Sequence, residues 1–294
     1  MIEFNNVVFE DLKLIDGLHS YSNEIDRIFK RYETGKGDYE NSKKAIEIFD
    51  QLGWEKEQHK DILTPFWRLF TAALAFYSQG HEYKRGCWND NSVEPTYILD
   101  NENCLRYRTY YDKKDDTNGT PLGKGKIGKL YHEKNETYYE NIVKTVAFFP
   151  QMKLLAKLSD SIANFAPCPE TPFNILKGLM PDVCDFLNLM VVKIQKHKDC
   201  QQDLNFVDVS GHKWMASYKQ IEGWHKWLID NQQKFFLEEY YSVINDRLIG
   251  IPVFEGQTLE KPLPETKETI ESAISRIINI IIRRGEKMKK KLFI

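Results

Sequence analysis

Three of the chain's eleven prolines, Pro167, Pro169 and Pro172, fall within six residues, and Asn164, Phe165, Phe173 and Asn174 flank them. Each proline ring fixes φ at about −65° and drives the residue before it into an extended conformation. No helix can run through this point. The neighbours Ile162, Ala163, Ala166, Ile175 and Leu176 are too apolar for a solvated linker. Residues 159–178 are therefore expected to form a rigid, buried connection between two helices, with backbone polar groups that must find partners close by. The amides of Asn164 and Asn174, which both donate and accept, are the expected ties.

Outside this stretch the apolar period is mostly helical. Residues 1–18 alternate loosely and read as a short strand or extended arm. Ile25, Ile28, Phe29 and Tyr32 mark a first helix, with Ser22 as its N-cap and Gly35 beyond its end. Asp38 opens a second, through Ala45, Ile46 and Phe49 to Leu52, and Gly53 stops it. A third is expected over Gln58–Gln79, broken or bent at Pro65. Residues 81–130 turn polar and carry a strand candidate, Cys104–Tyr111, so they read as a small β-hairpin or loop excursion around Asp115–Gly119. Helical spacing returns at Tyr139, Ile142, Val143, Val146 and Phe149, and again over Met152–Leu158. Pro181 or Asp182 opens a helix reaching Ile194, followed by a polar turn over Lys196–Asp203. Two aromatic helices are expected at 213–228 and 231–248, then a proline-punctuated loop to Pro264 and a last helix over 265–292. The expected fold is mainly α: one multi-helix globular domain spanning 1–294, with the 81–130 excursion inside it. At 294 residues it can bury a substantial core.

Lys and Arg number 41 against 43 Asp and Glu, a balance unlike that of a dedicated nucleic-acid coat protein. Five cysteines without C-x-x-C spacing do not make a secreted disulfide framework. The longest apolar run, Leu69–Tyr77, is too short to span a bilayer, and the first residues lack the pattern of a signal peptide. A cytoplasmic protein without membrane contact is the expectation.

Gly123-Lys124-Gly125-Lys126-Ile127-Gly128-Lys129-Leu130 has phosphate-loop spacing, but Leu130 stands where the Mg²⁺-binding hydroxyl belongs, and a polar loop precedes the glycines instead of a strand. It reads as a cationic loop, and no cofactor is expected. His197, Cys200, His212 and His225 lack the paired spacing of a structural zinc site, so no metal is expected either. Trp214, Tyr218, Ile221, Trp224, Trp227 and Leu228 share a helical face that reads as core, or else as a stacking platform. Arg283, Arg284, Lys287, Lys289, Lys290 and Lys291 complement the macrodipole at a helix C-terminus, or reach phosphates. Neither a nucleophile elbow nor the helical arginine–histidine spacing of a ribonuclease is present.

Ser161-Ile162-Ala163-Asn164-Phe165-x-Pro167-x-Pro169, followed by Phe173-Asn174, resembles a motif of bacterial proteins of unknown function, which read H-S-I-G-N-F-x-x-x-P and then F-N. Some of those proteins end in a helix reading R-G-E-K-M, the form of Arg284-Gly285-Glu286-Lys287-Met288 here. The segment is also remotely similar to the I-G-N-L-T-L-L-P run of HNH nucleases from modification-dependent restriction systems. Asp160 stands where those nucleases carry a metal-finger histidine, and Ala163 where they carry glycine. The resemblance implies a bacterial or phage-borne protein, from a phage-defence or mobile-element setting.

The expectation is a non-catalytic binding protein whose partner is another macromolecule, a protein. The alternative is a nucleic-acid binder or degenerate HNH-like nuclease. It would hold phosphates with Lys124, Lys126, Lys129, Arg283 and Arg284, with Asp160, Asn164, Asn174 and Lys177 beside the site.

Overall fold

The computed structural model describes residues 4, 28, 43–54, 61–63, 114–115, 120–121, 149–151, 154–155, 158, 161–173, 187–207, 213–262, 264 and 266–292. Helix predominates among them. Helix α1 (Lys43–Gln51) buries Ala45, Ile48 and Phe49 and stops where Gly53 takes φ of +74°. Gly53 N–H then donates to Asp50 O at 3.0 Å and Trp54 N–H to Phe49 O at 2.8 Å. This Schellman end satisfies two carbonyls that the helix leaves over, and it matches the expected stop.

The same device ends helix α2 (Leu187–Cys200), with Gln201 at φ 52° and Gln202 N–H donating to His197 O. It recurs beyond helix α3 (Tyr218–Asn231), where Phe236 takes φ 57° and Leu237 N–H reaches Gln232 O. Helix α4 (Lys267–Leu292) begins at Thr266, whose Oγ1 accepts from Thr269 N–H while Thr269 Oγ1 accepts from Thr266 N–H. Ala273, Ile278, Ile280 and Ile282 are buried on α4 beside Ile270, Ile274, Ile277 and Ile281, so the core surrounds much of this helix.

Strands pair two by two, all antiparallel. β1 (Asp61–Leu63) lies on β4 (Ala166–Cys168), β2 (Lys114–Asp115) on β3 (Thr120–Pro121), β5 (Leu204–Val207) on β6 (Lys213–Ala216), and β7 (Tyr241–Ile244) on β8 (Arg247–Gly250). The β2–β3 pair falls inside the expected excursion. Among the described residues each pair is a ribbon of two strands, so an edge is open to Pro167 in β4, where proline is tolerated. Phe4 adds an isolated parallel bridge to Gly250 at the end of β8.

Five expectations need correction. Residues 171–173, expected in a buried non-helical connection, are helical with Thr171 and Pro172 exposed, because a proline in the first turn of a helix gives up an N–H that has no partner there. Asp61–Leu63, expected in a helix, is a strand paired with the proline stretch at Ile62↔Pro167. Lys213–Ala216 is a strand, because Lys213 and Met215 face out while Trp214 and Ala216 face in, and the helix starts only after Ser217. There the Ser217 side chain accepts from Gln220 N–H and the Gln220 side chain accepts from Ser217 N–H, a capping box. The expected helix over 231–248 is a turn followed by the β7–β8 hairpin, which reverses at Asn245 and Asp246 with φ of 50° and 57°. Two consecutive positive φ values make the turn that matches strand twist. The polar turn begins later than expected, since α2 continues to Cys200.

One contiguous apolar cluster runs from Ile28 through α1, the proline stretch, α2 and α3 to Met288. Among the described residues no helix is long and apolar enough to cross a membrane. The expected helices over 22–32 and 136–149 and the Cys104–Tyr111 strand lie outside the described residues, apart from Ile28 and Phe149.

Candidate functional site

The proline stretch leaves carbonyls that its own backbone cannot satisfy. Ser161 Oγ donates to Leu158 O at 2.6 Å, and a 3-10 turn follows over Ile162–Asn164. Every residue from Ser161 to Cys168 is buried. Ala163 N–H donates to Ile28 O at 3.1 Å, and Ala163 O accepts from Arg284 Nη1 at 2.8 Å. The same guanidinium donates from Nη2 to Phe235 O and from Nε to Phe236 O, both at 3.0 Å. Those two carbonyls sit at the left-handed turn after α3, where no helical donor remains. The Arg284 side chain is 0% exposed and lies 5.8 Å from the ring centres of Trp54 and Tyr240. Burial lowers its pKa, and Tyr240 and Glu238 oppose the shift.

Arg284 is thus an internal clamp, not a phosphate ligand, and the surface role expected for it is corrected. The two separated halves of the sequence motif, 161–169 and 284–288, pack together, and this side chain bonds one to the other. A signal for it exists in the sequence. Ile270, Ile274, Ile277, Ile281, Arg284 and Met288 continue one helical stripe, and Arg284 occupies a core position in it. Asn164 is likewise fully buried, in the connection where its structural role was expected.

Most of the basic tail is engaged inside the molecule. Arg283, with 52% of its side chain exposed, lies 3.8 Å from Glu239. Lys287 reaches Glu239 at 3.2 Å and Glu238 at 3.9 Å, and Lys289 reaches Glu286 at 3.0 Å. Lys291 donates to Leu52 O at 2.7 Å, on the last turn of α1. Asp160, Asn174, Lys177, Lys124, Lys126 and Lys129 lie outside the described residues.

The aromatic face of α3 is largely core. Ile221, Trp224 and Leu228 are buried, Trp224 Nε1 donates to Glu170 Oε1 at 2.7 Å, and Trp227 stacks on Phe235 with ring centres 5.4 Å apart.

A second buried polar cluster joins α2, α3 and β8, and no local pattern in the chain announces it. Leu248 N–H donates to Gln195 Oε1 at 2.8 Å, and Gln195 Nε2 donates to Asp199 Oδ1 at 2.8 Å. The amide orientation follows, because a backbone N–H can only donate. His225 Nε2 lies 2.9 Å from the same Gln195 Oε1, so Nε2 carries the imidazole proton. Lys198 Nζ stands 3.0 Å from Nδ1 and 3.5 Å from Nε2. A donor on the line of the Nδ1 lone pair would be much farther from Nε2, so the ammonium sits over the ring face. His225 is 2% exposed, and burial first, then Lys198, push its pKa down to about 4. Asp199 is held by Arg247 through two bonds of 3.0 and 2.6 Å, which lowers its own pKa. Chemically, this cluster fixes a neutral imidazole.

Among the described residues no group of three or more His, Cys, Asp or Glu could hold a metal ion. His197 Nδ1 lies 3.1 Å from Asp203 O, and Cys200 is an exposed thiol. No protein-family model matches the chain, and neither a curated protein nor a solved structure matches it.

Proposed function

We propose that this is a non-catalytic binding protein whose partner is another protein. The observation that carries the reading is the outward row of the β5–β6 hairpin, where Met215 is 64% exposed and pairs across the ribbon with exposed Asn205. Among the described residues the ribbon is two-stranded, so this apolar side chain stands on an edge strand, β6. Such an edge suits strand addition, in which main-chain bonds hold the partner and side-chain contacts select it. Ile244, 48% exposed at the end of β7, repeats the combination. The internal pairing of the basic tail weighs against phosphate recognition as the main activity. The resemblance of residues 161–174 and 284–288 to bacterial proteins supports a bacterial or phage-borne setting, in phage defence or a mobile element. A cytoplasmic location belongs to the same proposal.

The test compares wild type with Met215→Asp and Ile244→Asp, both folded by circular dichroism, in capture from a host lysate. Fluorescence anisotropy with labelled DNA and RNA at two salt concentrations runs beside it. Loss of captured protein in either variant, with weak nucleic-acid binding, supports the proposal. Capture unaltered by both changes, or tight binding of nucleic acid that falls steeply with salt, overturns it.

A further inference from the structure

We infer that His225 and Lys198 form an acid-sensitive latch at the junction of α2, α3 and the β7–β8 hairpin. The fixed donor at Leu248 orients Gln195, which in turn requires the proton on His225 Nε2. The only further proton the ring can take is at Nδ1, and the Lys198 ammonium lies 3.0 Å from that atom. A neutral imidazole face attracts a cation, whereas an imidazolium repels it. Protonation therefore drives the ring away from Lys198, and the moving ring pulls on the Gln195 oxygen that holds Leu248.

The other charged groups facing His225 do not cancel this repulsion. Asp199 from α2, paired with Arg247 of the hairpin at 2.6 Å, and Asp246 in the hairpin turn oppose it, but burial and Lys198 outweigh both anions, and Arg247 adds to Lys198. The ordinary histidine value is depressed by burial and by Lys198, so the latch stays closed at neutral pH and opens in acid. The sign is that of a group with a lowered folded-state pKa. The unfolded chain takes the proton first, so stability falls as pH drops from about 6.5 toward about 4.

The experiment is an NMR pH titration of the His225 ring in wild type and in Lys198→Met, with amide exchange at Leu248 followed in parallel. Exchange at Ile277 in α4 serves as the control for global unfolding. The expected result is a wild-type midpoint near the value of about 4, a midpoint at least about one unit higher in Lys198→Met, and Leu248 exchange that rises with ring protonation while Ile277 stays protected. Three results would overturn the latch: a midpoint unmoved by Lys198→Met, Leu248 protection constant through the titration, or Leu248 and Ile277 released together.

Discussion

Replacing Arg284 by methionine keeps an unbranched apolar stem in the core and removes the guanidinium fork. Three carbonyl oxygens, those of Ala163, Phe235 and Phe236, then lose their donor in a region closed to water. Each stranded buried group costs about 1–3 kcal/mol. Part of that loss is offset, because the substitution also removes a buried charge whose desolvation is itself unfavourable by several kcal/mol. The net expectation is a destabilisation of about 3–5 kcal/mol, the range seen when one partner of a buried charged contact is deleted. Arg284→Lys should recover only a fraction, since one ammonium cannot match a planar fork bonded to carbonyls of two separate segments. Urea unfolding followed by tryptophan fluorescence measures the difference. Arg283→Met, one residue away and exposed, is the control and should lie within about 0.5 kcal/mol of wild type. An Arg284→Met midpoint indistinguishable from that control would refute the clamp.

Gly250→Ala sets a methyl group 2.6 Å from Val192 Cγ2 and 2.8 Å from the Asn188 carbonyl, so a loss of about 1–3 kcal/mol is expected in thermal melts. Ser217→Ala deletes the capping box of α3 and should cost about 0.5–2 kcal/mol, read by far-UV circular dichroism on heating. Gln201→Gly relieves an exposed left-handed residue and should stabilise by up to about 1 kcal/mol in urea, an unusual direction for a glycine. Gln257→Leu strands Val253 N–H and takes one of the two acceptors of Asn188 Nδ2, which keeps Ile251 O at 2.9 Å, and should lower stability in urea by about 1–3 kcal/mol.

Where glycine and proline punctuate the chain, the sequence was legible. Gly53 stopped α1 as its conformation requires, and Pro167 did fall in a buried, non-helical segment, whereas Pro169 is half-buried and Pro172 is exposed within a helical segment over 171–173. The helix boundaries that failed are those set without glycine. Phe236 adopts the left-handed conformation with an ordinary side chain, so periodicity ran on through it, whereas the polar run from Lys196 set the end of α2 too early, well before the left-handed Gln201. Asn245-Asp246 carried a usable hairpin signal, since both residues tolerate positive φ, but the aromatic residues before it read as helix. Trp214 and Ala216 fit either period over so short a run, and only the capping box at Ser217 separates strand from helix. Of the candidate site residues, Arg284 was visible as a member of an apolar stripe, yet its charge suggested the surface. The His225 cluster was hidden because its members come from positions 195, 198, 225 and 248, which nothing local brings together.

The reach of α4 also bears on how the chain acquires its structure. Arg284 bonds a carbonyl 121 residues earlier and Lys291 one 239 residues earlier, so α1 and the proline connection receive their last ties from an element that follows both in sequence. Closing such long loops precedes any reward from the contacts they make, which slows folding and lengthens the exposure of apolar surface. During synthesis the earlier segments must wait, partly assembled, for residues 284–291 to emerge. A chain interrupted before Arg284 would leave Trp54 and the carbonyls of Ala163 and Phe235 without their partner, with part of the apolar cluster exposed to association.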